Sequence, residues 1–260
     1  VSRDWSSDVC SSDLVELVDP WIGLAAAATA TTRIKLGTMV TPVPRRRPWQ
    51  LARQIASLDH LSDGRMIFGA GIGSGRPAEW QALGEEVEPA VRGKMLDEGL
   101  NIIDGLWQQT DFSYDGAYYT VTESNFLPRP VQRPRPPVWI GGRWPNKTPM
   151  RRAARWDGVF PLLDDYGDDP ATLTAALRDC VAFIQAARAD DTPFDVATVG
   201  LPTTGEDPTH DAAIIAQFAD AGATWWLENI APWRFGVDWD DEWPAERMLA
   251  RVRLGPPKLD

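Results

Sequence analysis

Cysteine and histidine are nearly absent from this chain, with two of each in 260 residues. Cys10 lies in an unusual N-terminal stretch and Cys180 stands alone in the helix-patterned run ATLTAALRDCVAFIQAAR, which leaves no disulfide framework and no cysteine metal centre. Cys180 reads as a small buried hydrophobe. His60 in LDHLSDG and His210 in EDPTHDAA stand near helix ends, where they read as structural or solvent-facing groups, so the general acid or base is unknown. Also missing is any run of eighteen or more apolar residues, and with it a membrane span. Positive charge is short as well: the net charge is −11, or −9 without residues 1–14, which speaks against general affinity for nucleic acid or an acidic membrane. These absences leave a cytoplasmic globular protein with no metal site, 43% hydrophobic and long enough for one large domain.

What is present begins oddly. DWSSDVCSSDL, from Asp4 to Leu14, nearly repeats Ser-Ser-Asp and has no apolar periodicity. Read codon by codon, it matches one frame of a common sequencing-library adapter, so residues 1–14 are expected to be a foreign segment and 15–260 a single incomplete domain. The true start, and any signal ahead of it, would then lie outside this sequence.

Beyond that point, apolar runs of strand length alternate with helical patterns, which implies a parallel sheet with helices outside it. The strands read as KLGTMVT, RMIFGAG, PVWIGG, DGVFPL, FDVATVG and TWWLENI. Between them, DPWIGLAAAATATTR starts a helix at an Asp19 cap, and PWQLARQIASLDHLSDG ends one at Gly64. RGKMLDEGLNIIDGLW sets Leu96, Leu100, Ile103 and Trp107 at helical spacing, a stripe to be buried. FSYDGAYYTV, with Asp115-Gly116 between aromatic flanks, signals a tight hairpin, and the proline-rich LPRPVQRPRPP reads as an extended connector. This alternation fits either a doubly wound open sheet or an eight-stranded barrel of about 250 residues. Six strands plus two lost ones would close the barrel.

Charge is unevenly spread. Between Leu127 and Arg155 stand Arg129, Arg133, Arg135, Arg143, Lys147, Arg151, Arg152 and Arg155 without one Asp or Glu. Gly141 and Gly142 fall inside this sector, at a strand end before the helix TPMRRAARW, an arrangement suited to a phosphate. Arg143 and then Lys147 are its expected charged partners. Gly69, Gly71 and Gly73 follow another strand at spacings that either let backbone approach a ligand or make a tight turn.

Five segments in order, DPWIGLAAAATATTRIKLGTMVTP, RRRPWQLARQIASLDHLSDGRMIFGAGIG, RGKMLDEGLNIIDGLW, LPRPVQRPRPPVWIGG and RRAARWDGVFP, resemble the bacterial luciferase-like family of flavin-dependent oxidoreductases. The resemblance implies a (β/α)8 TIM barrel whose first two strands are missing here, using FMN or the deazaflavin coenzyme F-420. It implies a non-prolyl cis peptide on the third strand, matched here by Thr38–Met39, with Met39 against the ring. Thr38, Met39, Gly71, Gly73, Gly141, Gly142, Arg143 and Lys147 are thus the expected cofactor-binding residues. A polar residue that family members carry after the second strand has no counterpart.

The resemblance further implies a homodimer when intact, a small-molecule substrate, and a flavin or deazaflavin reductase as possible partner. An FMN-type monooxygenase stands slightly ahead, because the basic sector accounts for one phosphate; Arg45, Arg46 and Arg47 are the one candidate cluster for a polyglutamate tail. Deazaflavin-dependent hydride transfer is the alternative. A flavin-binding barrel without turnover is the third reading, since fold does not fix function.

Overall fold

The structure is a computed structural model that describes residues 18–73, 80–189, 191–199, 203, 207–238 and 241–256. The segment read as foreign lies outside them. Parallel strands alternate with helices as expected, and the chain forms two compact units that meet in sequence at Gly141 and Gly142.

In the N-terminal unit, α1 (Pro20–Ala30) starts where Asp19 accepts the backbone N–H of Trp21 at 2.8 Å and of Ile22 at 3.3 Å. Its far end is closed by Arg65, whose guanidinium donates to the carbonyls of Ala28, Thr31, Ile34 and Ser62 and to the Thr31 hydroxyl, at 2.7–3.0 Å. These are the orphan acceptors that a helix end and the turn after it leave behind. The first strand is interrupted: β1 (Leu36–Gly37) and β2 (Thr41–Pro42) both pair with β3 (Met66–Gly71) in parallel. The helix α2 (Pro48–Leu61) buries Leu51, Ile55 and Leu58, and α3 (Pro89–Gln108) buries the stripe Leu96, Leu100, Ile103 and Trp107. Each such side chain contributes about 1.5–3 kcal/mol. Trp107 also donates its indole N–H to the Ala52 carbonyl at 3.2 Å, locking α3 to α2.

The hairpin forms from β4 (Phe112–Asp115) and β5 (Thr120–Ser124), with a wider loop than Asp115-Gly116 suggests. Its tip is wrapped around Glu98 of α3, which accepts the N–H groups of Ala117, Tyr118 and Tyr119 at 2.8–3.1 Å. Three donors on one carboxylate take the place of a two-residue turn. The connector that follows is fastened to α2: Asp59, fully buried, accepts from Val131 N, Gln132 N and the Gln132 amide, and His60 Nε2 lies 2.7 Å from the Arg129 carbonyl. It leads into β6 (Val138–Arg143), whose first residues pair with β3.

In the C-terminal unit, α4 (Lys147–Ala153) precedes β7 (Gly158–Leu162), and β7, β8 (Asp195–Val199) and β9 (Trp225–Leu227) pair in parallel. Between strands, α5 (Pro170–Ala187) buries Leu173, Leu177, Cys180 and Ile184, while α6 (Pro208–Asp220) sets Phe218 edge-on to Trp226. The last helix, α7 (Ala245–Leu254), is anchored by a polar knot around Glu228. Arg234 pairs with the Glu228 carboxylate, Arg251 approaches it at 3.4 Å, and Trp226 and Thr203 donate to it at 3.1 and 2.5 Å.

Candidate functional site

In parallel α/β folds the carboxyl ends of the strands carry the chemistry. Those of β2 and β3 are shaped by the interruption in the first strand. Gly37 pairs with Ile67 and Thr41 with Ala70, so that Thr38, Met39 and Val40 stand opposite Phe68 and Gly69: three residues against two, a bulge. Its cis peptide lies between Met39 and Val40, one bond beyond the expected Thr38–Met39. The difference is one of counting, because the extra residue of a bulge cannot be placed from an apolar run.

The bulge settles where three of the expected residues go. Thr38 is buried, its hydroxyl donating to the Gly69 carbonyl at 3.0 Å and accepting from Thr41 at 2.8 Å, so its polar capacity is spent inside the protein. Val40 takes the space that glycines leave open: a Cβ on Gly71 would stand 2.7 Å from one Val40 methyl, and one on Gly141 2.9 Å from the other. At Gly69 a Cβ would collide with the Thr38 carbonyl. Met39 and Val40 themselves are half-buried. They form an apolar face on the bulge, and Met is well suited to lie against a flat conjugated ring.

Gly73 has φ of +82°, and a Cβ there would strike the Trp80 ring, so turn geometry and packing both account for this glycine. Trp80, 1% exposed, carries the Arg92 guanidinium 4.1 Å from its ring centroid and Arg45 at 5.5 Å. Arg46 lies 4.0 Å from Asp19. The expected polyglutamate cluster is thus divided, with Arg45 on an aromatic ring and Arg46 beside an acid.

The carboxyl end of β6, in the other unit, is charged. Gly142 is backed by Pro149, and Asn146 caps α4 by accepting Thr148 N at 3.0 Å. Arg143 reaches Asp164 at 2.9 Å and Asp165 at 3.5 Å, both in the turn just after β7. The Lys147 ammonium stands 3.5 Å from the centroid of Trp144 and 4.5 Å from that of Phe183. The sector that is free of acid in sequence is therefore not free of acid in space. Folding brings two carboxylates to its central arginine, and Lys147 is held by aromatic faces. As a cradle for a doubly charged phosphate this arrangement fits poorly; the apolar bulge fits a flavin-type ring well.

The histidines match their reading: His60 holds the connector and His210 is exposed on the first turn of α6. Cys180 is buried 3.4 Å from the Met150 sulfur, and burial pushes its thiol up to about 12. Among the described residues no group of His, Cys, Asp and Glu could hold a metal ion, and no helix is long and apolar enough to cross a membrane. Sequence reasoning missed the acids opposite Arg143. The available signal was Asp164-Asp165, one residue beyond the strand run DGVFPL.

Comparison with known proteins gives the family. An uncharacterized protein of Mycobacterium tuberculosis is 34% identical over 208 residues, covering 80% of this chain and 67% of that protein. The F420-dependent glucose-6-phosphate dehydrogenase of Microbacterium testaceum is 32% identical over 199 residues, covering 75% of this chain and 55% of the enzyme. The crystal structure of monooxygenase RslO1 from Streptomyces bottropensis superposes with a TM-score of 0.59 at 27% identity, covering 78% of this chain and 60% of that one. The chain thus spans between about half and two thirds of these relatives. The family described as luciferase-like monooxygenase matches residues 3–244, a span that includes most of the segment read as foreign. The α/β fold is that of these enzymes, and this chain belongs to the luciferase-like monooxygenase family.

Proposed function

We propose that this chain is an oxidoreductase that works on a small organic substrate through a flavin-type ring held against Met39 and Val40. The observation that carries this reading is the bulge between β1 and β2, whose half-buried apolar face stands at the strand ends where α/β folds place their chemistry. When bound, the cofactor supplies the electron chemistry; the protein orients it and excludes water. The reading assigns Gly71 and Gly141 to the support of that face, and Gly142, Arg143 and Lys147 to the cofactor's phosphate. It takes the enzyme to be a cytoplasmic homodimer served by a reductase.

Of the two cofactors, we place deazaflavin-dependent hydride transfer first and FMN-type monooxygenation second. FMN is favoured by the sequence because the basic sector accounts for one phosphate, and in the fold the Arg143 of that sector faces two carboxylates. The likeness to an F420-dependent dehydrogenase at 32% identity supports the same order. Separate fluorescence titrations with coenzyme F-420 and FMN test it, alongside oxygen uptake with reduced FMN. Binding of F-420 well ahead of FMN, without oxygen uptake, is the expected result; tight FMN binding with oxygen uptake would reverse the order.

A further inference from the structure

The helix α1 is apolar on every side: of its eleven residues Thr29 alone is polar, and no charged side chain stands between Asp19 and Arg33. A helix of that kind is ordinarily buried all round. Here Trp21 and Ala28 are buried, while Ile22, Ala26 and Ala30, at helical spacing, lie on an exposed face. Val18 just before the helix, Ile22 on it and Ile34 just after it are 73%, 65% and 54% exposed. Large apolar groups crowded on one element, unlike ones scattered singly, mark a surface that meets another molecule. Gly23 gives a second sign. Glycine is a weaker helix former than alanine, yet a Cβ on Gly23 would meet nothing within 4 Å, so the room it leaves lies on the open side of the helix.

The order of residues along this face is self-complementary. When a helix packs antiparallel on a second copy of itself about a two-fold axis at Ala26, each residue meets the one equally far on the other side of Ala26. That sets Ile22 against Ala30, Asp19 against Arg33 and Val18 against Ile34. A bulky side chain meets a small one, an acid meets a base, and two apolar groups meet each other. Asp19, half-exposed, caps the helix and has Arg46 4.0 Å away, and Arg33 is exposed. The antiparallel arrangement also brings the opposite ends of two helix dipoles together. We propose that α1 is the centre of the contact between two copies of this chain, packed antiparallel about a two-fold axis at Ala26. This rests on the homodimer in the functional reading and gives it a surface; neither cofactor nor substrate enters.

Light scattering on the full chain at micromolar concentration should give the mass of a dimer. Ala26→Glu, at an exposed position, sets two carboxylates against each other on the axis and should give the mass of a monomer. Position 26 is the one that meets its own copy. With Cys10→Ser throughout, Ala26→Cys should therefore cross-link two chains under mild oxidation about tenfold faster than Ile22→Cys or Ala30→Cys, whose copies stand too far apart to bridge. Arg33→Glu turns the contact with Asp19 into a repulsion at both ends of the pair and should weaken the dimer about tenfold. A dimer that survives Ala26→Glu would overturn the proposal and leave the homodimer reading in place. So would equal cross-linking at positions 22, 26 and 30, or a dimer that ignores Arg33→Glu. A wild type with the mass of a monomer would remove the surface and the homodimer reading together, whether the face is then covered by the chain's own terminal residues or by another protein. Should thermal melts show that Ala26→Glu is unfolded, the cross-linking comparison decides in its place.

Discussion

Arg65 in the N-terminal unit gives its guanidinium to four backbone carbonyls and a hydroxyl, whereas Arg234 and Arg251 in the C-terminal unit converge on the carboxylate of Glu228. The first arrangement has a cation at its hub and neutral acceptors around it. The second has an anion at its hub and cations around it. In the first, the acceptors have already been left over by a helix end, so the arginine completes a shape that the backbone defines. In the second, the carboxylate balances the charge of two guanidinium groups that backbone carbonyls and Thr203 also hold. Loss of the hub should therefore be felt differently: carbonyls that lose Arg65 are neutral acceptors left short of a donor, while guanidinium groups that lose Glu228 face each other as like charges.

The sharpest break in this contrast is Glu228→Ala, which should cost about 3 kcal/mol, the low end of the range for a buried ion pair, because Arg251 is buried while Glu228 is part-buried. Glu228→Gln, which keeps the shape but not the charge, should fall between this variant and the wild type in urea denaturation. Arg65→Ala comes next, at about 2–3 kcal/mol, since hydrogen bonds from a charged donor are each strong but overlap when lost together. If Arg65→Ala proved the more damaging of the two, the contrast between a completing hub and a binding hub would be wrong.

The smallest effect depends on pH. Among the described residues the C-terminal unit alone holds a cysteine, and burial, with Lys147 a lesser opposing influence, pushes the Cys180 thiol up to about 12. The unfolded thiol titrates near 8.5 to 9 by ordinary reference values. Because the folded value is raised, the stabilisation is complete below about 9 and declines as pH rises toward about 12, by at most roughly 1.4 kcal/mol per pH unit. The stability gap between wild type and Cys180→Ala should accordingly narrow between about pH 9 and 10.5 in urea titrations. A constant gap would mean that the thiol is not shielded as its burial implies.

Much of this fold is legible in the chain because it rests on local pattern. Asp19 does cap α1, Gly64 with φ of +75° does follow α2, and the stripe from Leu96 to Trp107 is buried. Each of the six strand runs contains a strand. What pattern could not supply was register. The run KLGTMVT looks like one strand, yet it is two short pieces on either side of a bulge, and no periodicity marks the residue at which pairing slips. The glycines carried an ambiguous signal for a related reason. Absence of a side chain admits a ligand and a valine equally, and at Gly71 and Gly141 the structure admits Val40. The partners of Arg143 were hidden by distance along the chain, since Asp164 comes from the turn after the next strand. The Met39–Val40 pair is partly legible and the acids beside Arg143 are not: the one lies in an apolar run, the other needs a strand end to meet the turn after the next strand.

The clasp on the connector has a consequence for how this architecture can vary. Asp59 holds the backbone of Val131 and Gln132 ahead of β6, and the Gln132 amide also donates to the Met66 carbonyl at 2.7 Å, at the start of β3. The return of the chain to the sheet is thus fixed chiefly by α2 and β3, and the segment before it adds one bond, from Arg129 to the Thr110 hydroxyl at 3.1 Å. A change of length at the hairpin tip should therefore cost the Glu98 contacts while β6 keeps its alignment on β3.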